Sequence, residues 1–300
     1  MTAKQILQQL LLSACSCAML ATCPALEVAE KHLDTLLQNS RCGSADSILV
    51  YRMQAHYLID KALIQYMQEE QPTKVSSEEL QHYFQENSGE PALSKEDALK
   101  SDLETALHAL HLADNLAKAR YTAGFAPVDI PFETGAELYH ASRLYAQWCE
   151  GKDGPPVPEG LLELHGTITK AAAAAGDTER QMKADVLRYH YIEWDAHKEQ
   201  TIRKAMVEKI EQKLRAGMAS QWELREAKLD LQECELSLLL WSEDSGFEAF
   251  NAYAADSAKY YADLEKAAAT GMQQVATPER LLRTRLRMLN AAAFATLLEA

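Results

Sequence analysis

Residues 209–240 read KIEQKLRAGMASQWELREAKLDLQECELSLLL. Ile210, Leu214 and Met218 recur at helical spacing, and Leu224, Ala227, Leu231, Cys234 and Leu238 resume that spacing after a short break. Gly217 can adopt the left-handed conformation that closes a helix C-terminus. Ser220 stands three residues before Glu223, the spacing of a capping box that opens the next helix. The stretch therefore predicts two antiparallel helices joined by a tight turn.

The pattern recurs. Residues 266–298 carry it with Ala276 in the place of Ala219, Thr277 as an N-cap and Pro278 as a first helical residue. Residues 31–63 align through Ala45, Val50, Ala55 and Tyr57, and residues 170–197 through Asp177, Met182, Leu187 and Tyr189. Residues 117–146 fit with a shift of one position. A sixth, poorer copy centres on Gly89, with Ser94 and Asp97 as its cap pair. The reading is an all-α protein of about six antiparallel helical hairpins, stacked as a bundle or an irregular α-hairpin array. Its tips fall near Gly43, Gly89, Gly124, Gly176, Gly217 and Gln274. Tip spacing varies too much for a regular solenoid. Punctuation is densest at 69–73 and at 150–158, and the second stretch predicts a linker between lobes spanning 26–149 and 159–300.

Composition agrees with helix. Among 300 residues there are only 12 Gly and 9 Pro, while 47% are hydrophobic, enough for a substantial core. Period-two runs of Val, Ile and Thr are missing, so no strand is expected. The formal net charge of −14 opposes contact with phosphate backbones, which argues against nucleic-acid binding, and it opposes charge-driven adhesion to anionic lipid. Six cysteines form no CxxC pair; Cys42, Cys149 and Cys234 read as small buried apolar side chains.

Residues 1–25, MTAKQILQQLLLSACSCAMLATCPA, have one Lys, an apolar middle and small residues near their end, the layout of a signal peptide. Cys15 and Cys23 are the candidate lipidation sites, and cleavage after Ala25 is the alternative. Export to the periplasm or outer membrane is the expected location, with a cytoplasmic protein as the alternative. Membrane anchoring would come only through an N-terminal lipid, because no later segment is apolar enough to span a bilayer as a helix.

Leu214-Arg215-Ala216-Gly217-Met218-Ala219-Ser220, followed by Leu224, Ala227 and Leu231, resembles the hairpin turns of outer-membrane efflux proteins of the TolC kind. The resemblance implies that tip residues meet a partner. Here these would be Gly217, Ala219 and Ser220, with Gly43 and Ala45, Gly124 and Ala126, Gly176 and Thr178, and Ala276 and Thr277 as counterparts. The sequence departs from that family in lacking barrel strands, and its helical legs, about 15–22 residues or roughly 22–33 Å, are shorter.

Catalytic signatures are missing: no Gly-x-Ser-x-Gly elbow, no phosphate-binding glycine loop. Glu79 with His82, and Glu137 with His140, form two Glu-x-x-His pairs, which together with two more Glu are what a ferritin-like di-iron bundle needs. His190, Glu193 and His197 share a face of an ideal helix, and His108 and His111 lie one turn apart. Tyr139, Tyr145, Trp148, Tyr189, Tyr191 and Trp194, with Tyr260 and Tyr261, either pack between hairpins or line a groove. Arg280, Arg283, Arg285 and Arg287 make a basic patch whose simplest role is pairing with acids on a neighbouring helix. The sequence thus points to a non-enzymatic, cofactor-free envelope interaction or structural protein that meets a protein partner or itself through helix faces. The alternatives are a helical-repeat binding module for a peptide or small ligand and a helical-bundle metalloprotein.

Overall fold

The computed structural model describes residues 24–42, 46–69, 95–241 and 247–299. Among these residues the chain forms ten α-helices and no strand. Helix α1 spans Pro24–Arg41, α2 Ser47–Glu69, α3 Lys95–Thr122, α4 Asp129–Cys149, α5 Glu159–Ala175 and α6 Thr178–Leu187. A π-helical turn, Arg188–Glu193, continues α6 directly; α7 (Ala196–Arg215), α8 (Gln221–Trp241), α9 (Phe247–Ala269) and α10 (Pro278–Glu299) follow.

The 209–240 stretch forms its hairpin by the expected chemistry. Gly217 takes φ +70°, and the Met218 N–H reaches back to the Lys213 carbonyl at 2.8 Å. The Glu223 N–H donates to Ser220 Oγ at 3.2 Å while the Ser220 N–H donates to Glu223 Oε2 at 2.6 Å, the reciprocal pair of a capping box. At the last turn, α9 is closed by Gly271, also left-handed, rather than near Gln274. Thr277 Oγ1 then accepts the Arg280 N–H at 3.2 Å and Pro278 begins α10.

Hairpin turns join α3 to α4, α5 to α6, α7 to α8 and α9 to α10; α1 and α2 pack together as neighbours, and residues 43–45 between them lie outside the described residues. The sixth turn, near Gly89, and Ser94 and the 69–73 stretch from Glu70 onward lie outside the described residues. The structure merges what the sequence divides: α3 is one helix of 28 residues, serving both the 117–146 copy and the poorer copy before it. Its buried small residues Ala106, Ala109, Ala113 and Ala117 let α2 approach closely through Ile48 and Ala55.

The array closes on itself. Ala29, Leu33 and Leu36 of α1 share one buried cluster with Val50, Met53 and Tyr57 of α2 and with Leu282 and Leu286 of α10. His32 Nε2 lies 2.8 Å from the Tyr261 hydroxyl, tying α1 to α9 as well. The 150–158 segment is the non-helical connection from α4 to α5, and a cluster containing Phe132, Tyr139, Leu161, Ile168 and Ile192 spans it.

Hairpin turns lie at one end, each tied to the next by an ion pair. Asp46 binds Arg120 at 2.8 Å, Asp129 binds Arg180 at 2.6 Å, Glu179 binds Lys213, and Glu226 binds Arg280 at 2.9 Å. Among the described residues no helix is long and apolar enough to cross a membrane.

Candidate functional site

The backbone departs from α-helical geometry where α6 gives way to its π-helical turn, a feature that commonly marks functional positions. Trp194, at its end, has φ +55°, the one non-glycine residue with positive φ among those described. A bulky side chain pays a steric penalty there, because Cβ crowds the following carbonyl. Surrounding contacts hold it. The indole N–H donates to His140 Nδ1 at 3.2 Å, and the Arg143 guanidinium lies 3.8 Å from the Trp194 ring centroid. Arg143 also donates to the Ile192 carbonyl at 3.2 Å. The result is an aromatic group in which the His140 ring lies 5.2 Å from Tyr191 and 6.4 Å from His190.

A charge network surrounds this group. From α2, Arg52 donates Nε and Nη2 to both carboxylate oxygens of Glu137 on α4, at 2.8 and 2.7 Å, and Nη1 to Glu133 at 3.0 Å. His56 Nε2 stands 3.3 Å from Glu137. On α7, Glu199 receives Arg203 at 2.6 Å and lies 3.1 Å from His190 Nδ1. Arg203 approaches Asp230 of α8 at 3.6 Å; Asp230 pairs with Arg287 of α10, which also meets Glu233 at 3.3 Å. Asn290 of α10 donates to Asp60 at 3.3 Å, returning the network to α2.

Tyr191 sits where these groups converge, feeling the charges of Glu137, Arg283, Arg52 and Glu233 from four helices. Glu233 and Arg283 nevertheless keep 47% and 53% of their side-chain surface exposed. Protein crowds the network while solvent still reaches Glu233 and Arg283, so these residues form a partly open junction of four helices rather than a sealed core.

Protonation follows from burial set against pairing. Burial would raise the Glu137 carboxyl, but Arg52 and His56 outweigh it and hold it well below the usual range. The same contest, with Arg287 and Arg203 as partners, depresses Asp230; His190 and Arg203 hold Glu199 near about 2. Asp60 is the opposite case: burial, aided by Glu233, overcomes His56 and Asn290 and pushes it up to about 7. His140 is held well below its ordinary value by burial and by His190, so it is neutral; accepting at Nδ1 places its ring proton on Nε2. For His190, burial is outweighed by Glu199, which raises it. Burial also raises the Tyr191 phenol, keeping it a neutral donor. The junction therefore brings together fixed groups of both signs, neutral donors and aromatic rings. Its cysteine neighbour, Cys234, is pushed up to about 12 by burial and is no nucleophile.

The sequence-predicted residues disperse. Glu79, His82, Cys15, Cys23, Gly43 and Ala45 lie outside the described residues. Glu137 is taken by Arg52, and His140 by Trp194. Among the described residues no group of three or more His, Cys, Asp or Glu could hold a metal ion. The His190–Glu193–His197 face does not form, because the π-helical turn changes the residue period. Glu193 pairs with Arg188 at 2.7 Å, His190 turns to Glu199, and His197 is exposed. His108 and His111 are exposed too. Cys42 is exposed rather than buried, since it follows the last turn of α1, while Cys234 is buried and Cys149 intermediate.

At the turns, Gly124, Gly176 and Gly217 take left-handed φ. Ala126, Ala219 and Ser220 lie in loop backbone, Thr178 begins α6, and Ala276 is buried. Tyr145 leaves the junction for Glu104 at 2.8 Å, Trp148 packs with Leu99 and Leu103, and Tyr260 and Tyr261 join the α9 core. Arg280, Arg283 and Arg287 pair with acids of α8, while Arg285 stacks on Tyr261 at 5.2 Å.

Arg52, Glu199, Arg203 and Asp230 were not anticipated. The available signal was a matched pair of ladders: Glu226, Asp230 and Glu233 at helical spacing on α8 against Arg280, Arg283 and Arg287 on α10. No protein-family model matches the chain, and no curated protein or solved structure matches it.

Proposed function

We propose that this protein is a non-enzymatic helical-repeat binding module whose helix junction around Tyr191 holds a short peptide. The observation that carries the reading is Trp194, kept at φ +55° by His140 and Arg143 beside a partly open helix junction that presents both charge signs. Backbone strain of this kind persists where surrounding contacts over-determine it, and such places cluster at ligand clamps. A peptide suits the lining because it brings its own ammonium and carboxylate. Glu133 and Glu233 are acceptors for the first, Arg283 a donor for the second, and the Tyr191 and Trp194 rings take side chains. The resemblance to efflux hairpins adds an envelope setting to this proposal.

Calorimetric titration with a panel of unmodified di- and tripeptides tests it. The expected result is saturable one-to-one binding by at least one peptide, lost in Tyr191→Ala. No binding at millimolar peptide, or binding indifferent to Tyr191→Ala in a folded variant, would overturn the proposal.

A further inference from the structure

The three most exposed large apolar side chains among the described residues share one position in the fold. Phe125 is 85% exposed, Met218 72% and Met272 49%. Each directly follows a left-handed glycine, Gly124, Gly217 or Gly271, at a hairpin turn. Backbone bonds from Phe125 to the Arg120 carbonyl, from Met218 to Lys213 and from Met272 to Ala267 hold all three in the same closure, at 2.8 to 2.9 Å. In that closure the residue after the glycine frequently packs back on its helix. Here the side chains face solvent, and the ion pairs between successive turns place them at the same end of the array.

Charge at this end differs from that of the whole chain. Four of the five helices that run into the turns carry a basic residue in their last turn: Arg41 in α1, Arg120 in α3, Lys213 and Arg215 in α7, Lys266 in α9, while α5 carries none. Several acids that open the returning helices are engaged, Asp129 by Arg180, Glu179 by Lys213 and Glu223 by Ser220. Arg41, Arg215 and Lys266, in the last turns of their helices, are exposed. The formal charge of −14 opposes adhesion to an anionic surface only on average, and a planar surface meets one end of the molecule at a time.

We propose that the turn end of the array docks on an anionic lipid bilayer. Phe125, Met218 and Met272 enter the headgroup region, and Arg41, Arg215 and Lys266 face lipid phosphates. Separate apolar side chains at three of the turns, with Asp177 in the same position after Gly176 and ion pairs between the turns, do not make the contiguous, charge-depleted patch of a protein interface core. Isolated apolar groups among cations are what a bilayer interface accommodates.

Co-sedimentation of the full chain with phosphatidylcholine vesicles, with and without phosphatidylglycerol, is the test. The expected result is binding that strengthens with phosphatidylglycerol, weakens with salt, and falls about tenfold or more in Phe125→Ser/Met218→Ser/Met272→Ser. These positions are exposed, so the thermal melt of the triple variant should match the parent. Two outcomes would overturn the proposal. One is vesicle binding that is absent or equal in parent and variant, the latter assigning it to another segment. The other is a lipid-free dimer that the same substitutions abolish, which would assign the turns to a protein contact.

Discussion

Replacing Glu137 by Leu should be among the most damaging single changes at the junction. The Glu137 carboxylate is buried and accepts two short bonds from Arg52, at 2.8 and 2.7 Å. Arginine cannot shed its proton in a protein, so the variant keeps a largely buried guanidinium with half its pairing removed. Breaking a buried pair from one side costs about 3–5 kcal/mol. Glu133 still reaches Arg52 at 3.0 Å, which favours the lower end, about 3 kcal/mol. Removing both charges, as Arg52→Met/Glu137→Leu, should recover at least about 1 kcal/mol of that loss, because no guanidinium is left buried and the Glu133 left behind is partly exposed to solvent. Urea unfolding followed by far-UV circular dichroism gives both numbers and the coupling between them. A single variant within about 1 kcal/mol of the parent, or a double variant no better than the single, would refute the reasoning.

Asp60→Asn should stabilise the protein by on the order of 2 kcal/mol at pH 8. Folding raises this carboxyl to about 7, so the folded state binds the proton more tightly and stability declines as pH rises from roughly 4 to 7. The gain from Asn should therefore vanish below about pH 4, and thermal melts at pH 4 and pH 8 would show whether it does. At position 194, Gly should be more stable than Ala by about 1 kcal/mol in urea unfolding, because only φ distinguishes the two once the indole contacts are lost. Gly217→Ala should cost about 1 kcal/mol by the same assay: a Cβ there meets no atom within 4 Å, so the whole cost is the left-handed φ of +70°.

Turn chemistry made the hairpins readable. Gly217, Ser220 and Glu223 act locally, within a few residues, so their spacing alone predicts the bonds they make. Thr277 and Pro278 are legible for the same reason. The junction was only half legible. Arg280, Arg283 and Arg287 announce a cationic face, but their partners on α8 lie some fifty residues earlier, and nothing local connects the two ladders. Closure of α1 onto α10 was invisible because Leu33 and Leu36 look like any apolar stripe until their partners, Leu282 and Leu286, are known. The π-helical turn misled directly: an α-helical period puts His190, Glu193 and His197 on one face, and the altered period sends each elsewhere. Trp194 has no sequence signature at all, since its left-handed φ is imposed by His140 and Arg143 from α4.

Closure of the array is what brings α2, α4, α8 and α10 together around Tyr191, and it can be measured as one distance. Spin labels at Lys31 of α1 and Ala292 of α10, with native cysteines replaced, would report it by pulsed electron–electron resonance. Packed helices lie about 10 Å apart, so a closed array predicts a narrow distribution centred at roughly 20–25 Å once label linkers are added. An open row of five stacked hairpins would place the same labels more than about 40 Å apart, and that result would contradict both the closure and the junction built upon it.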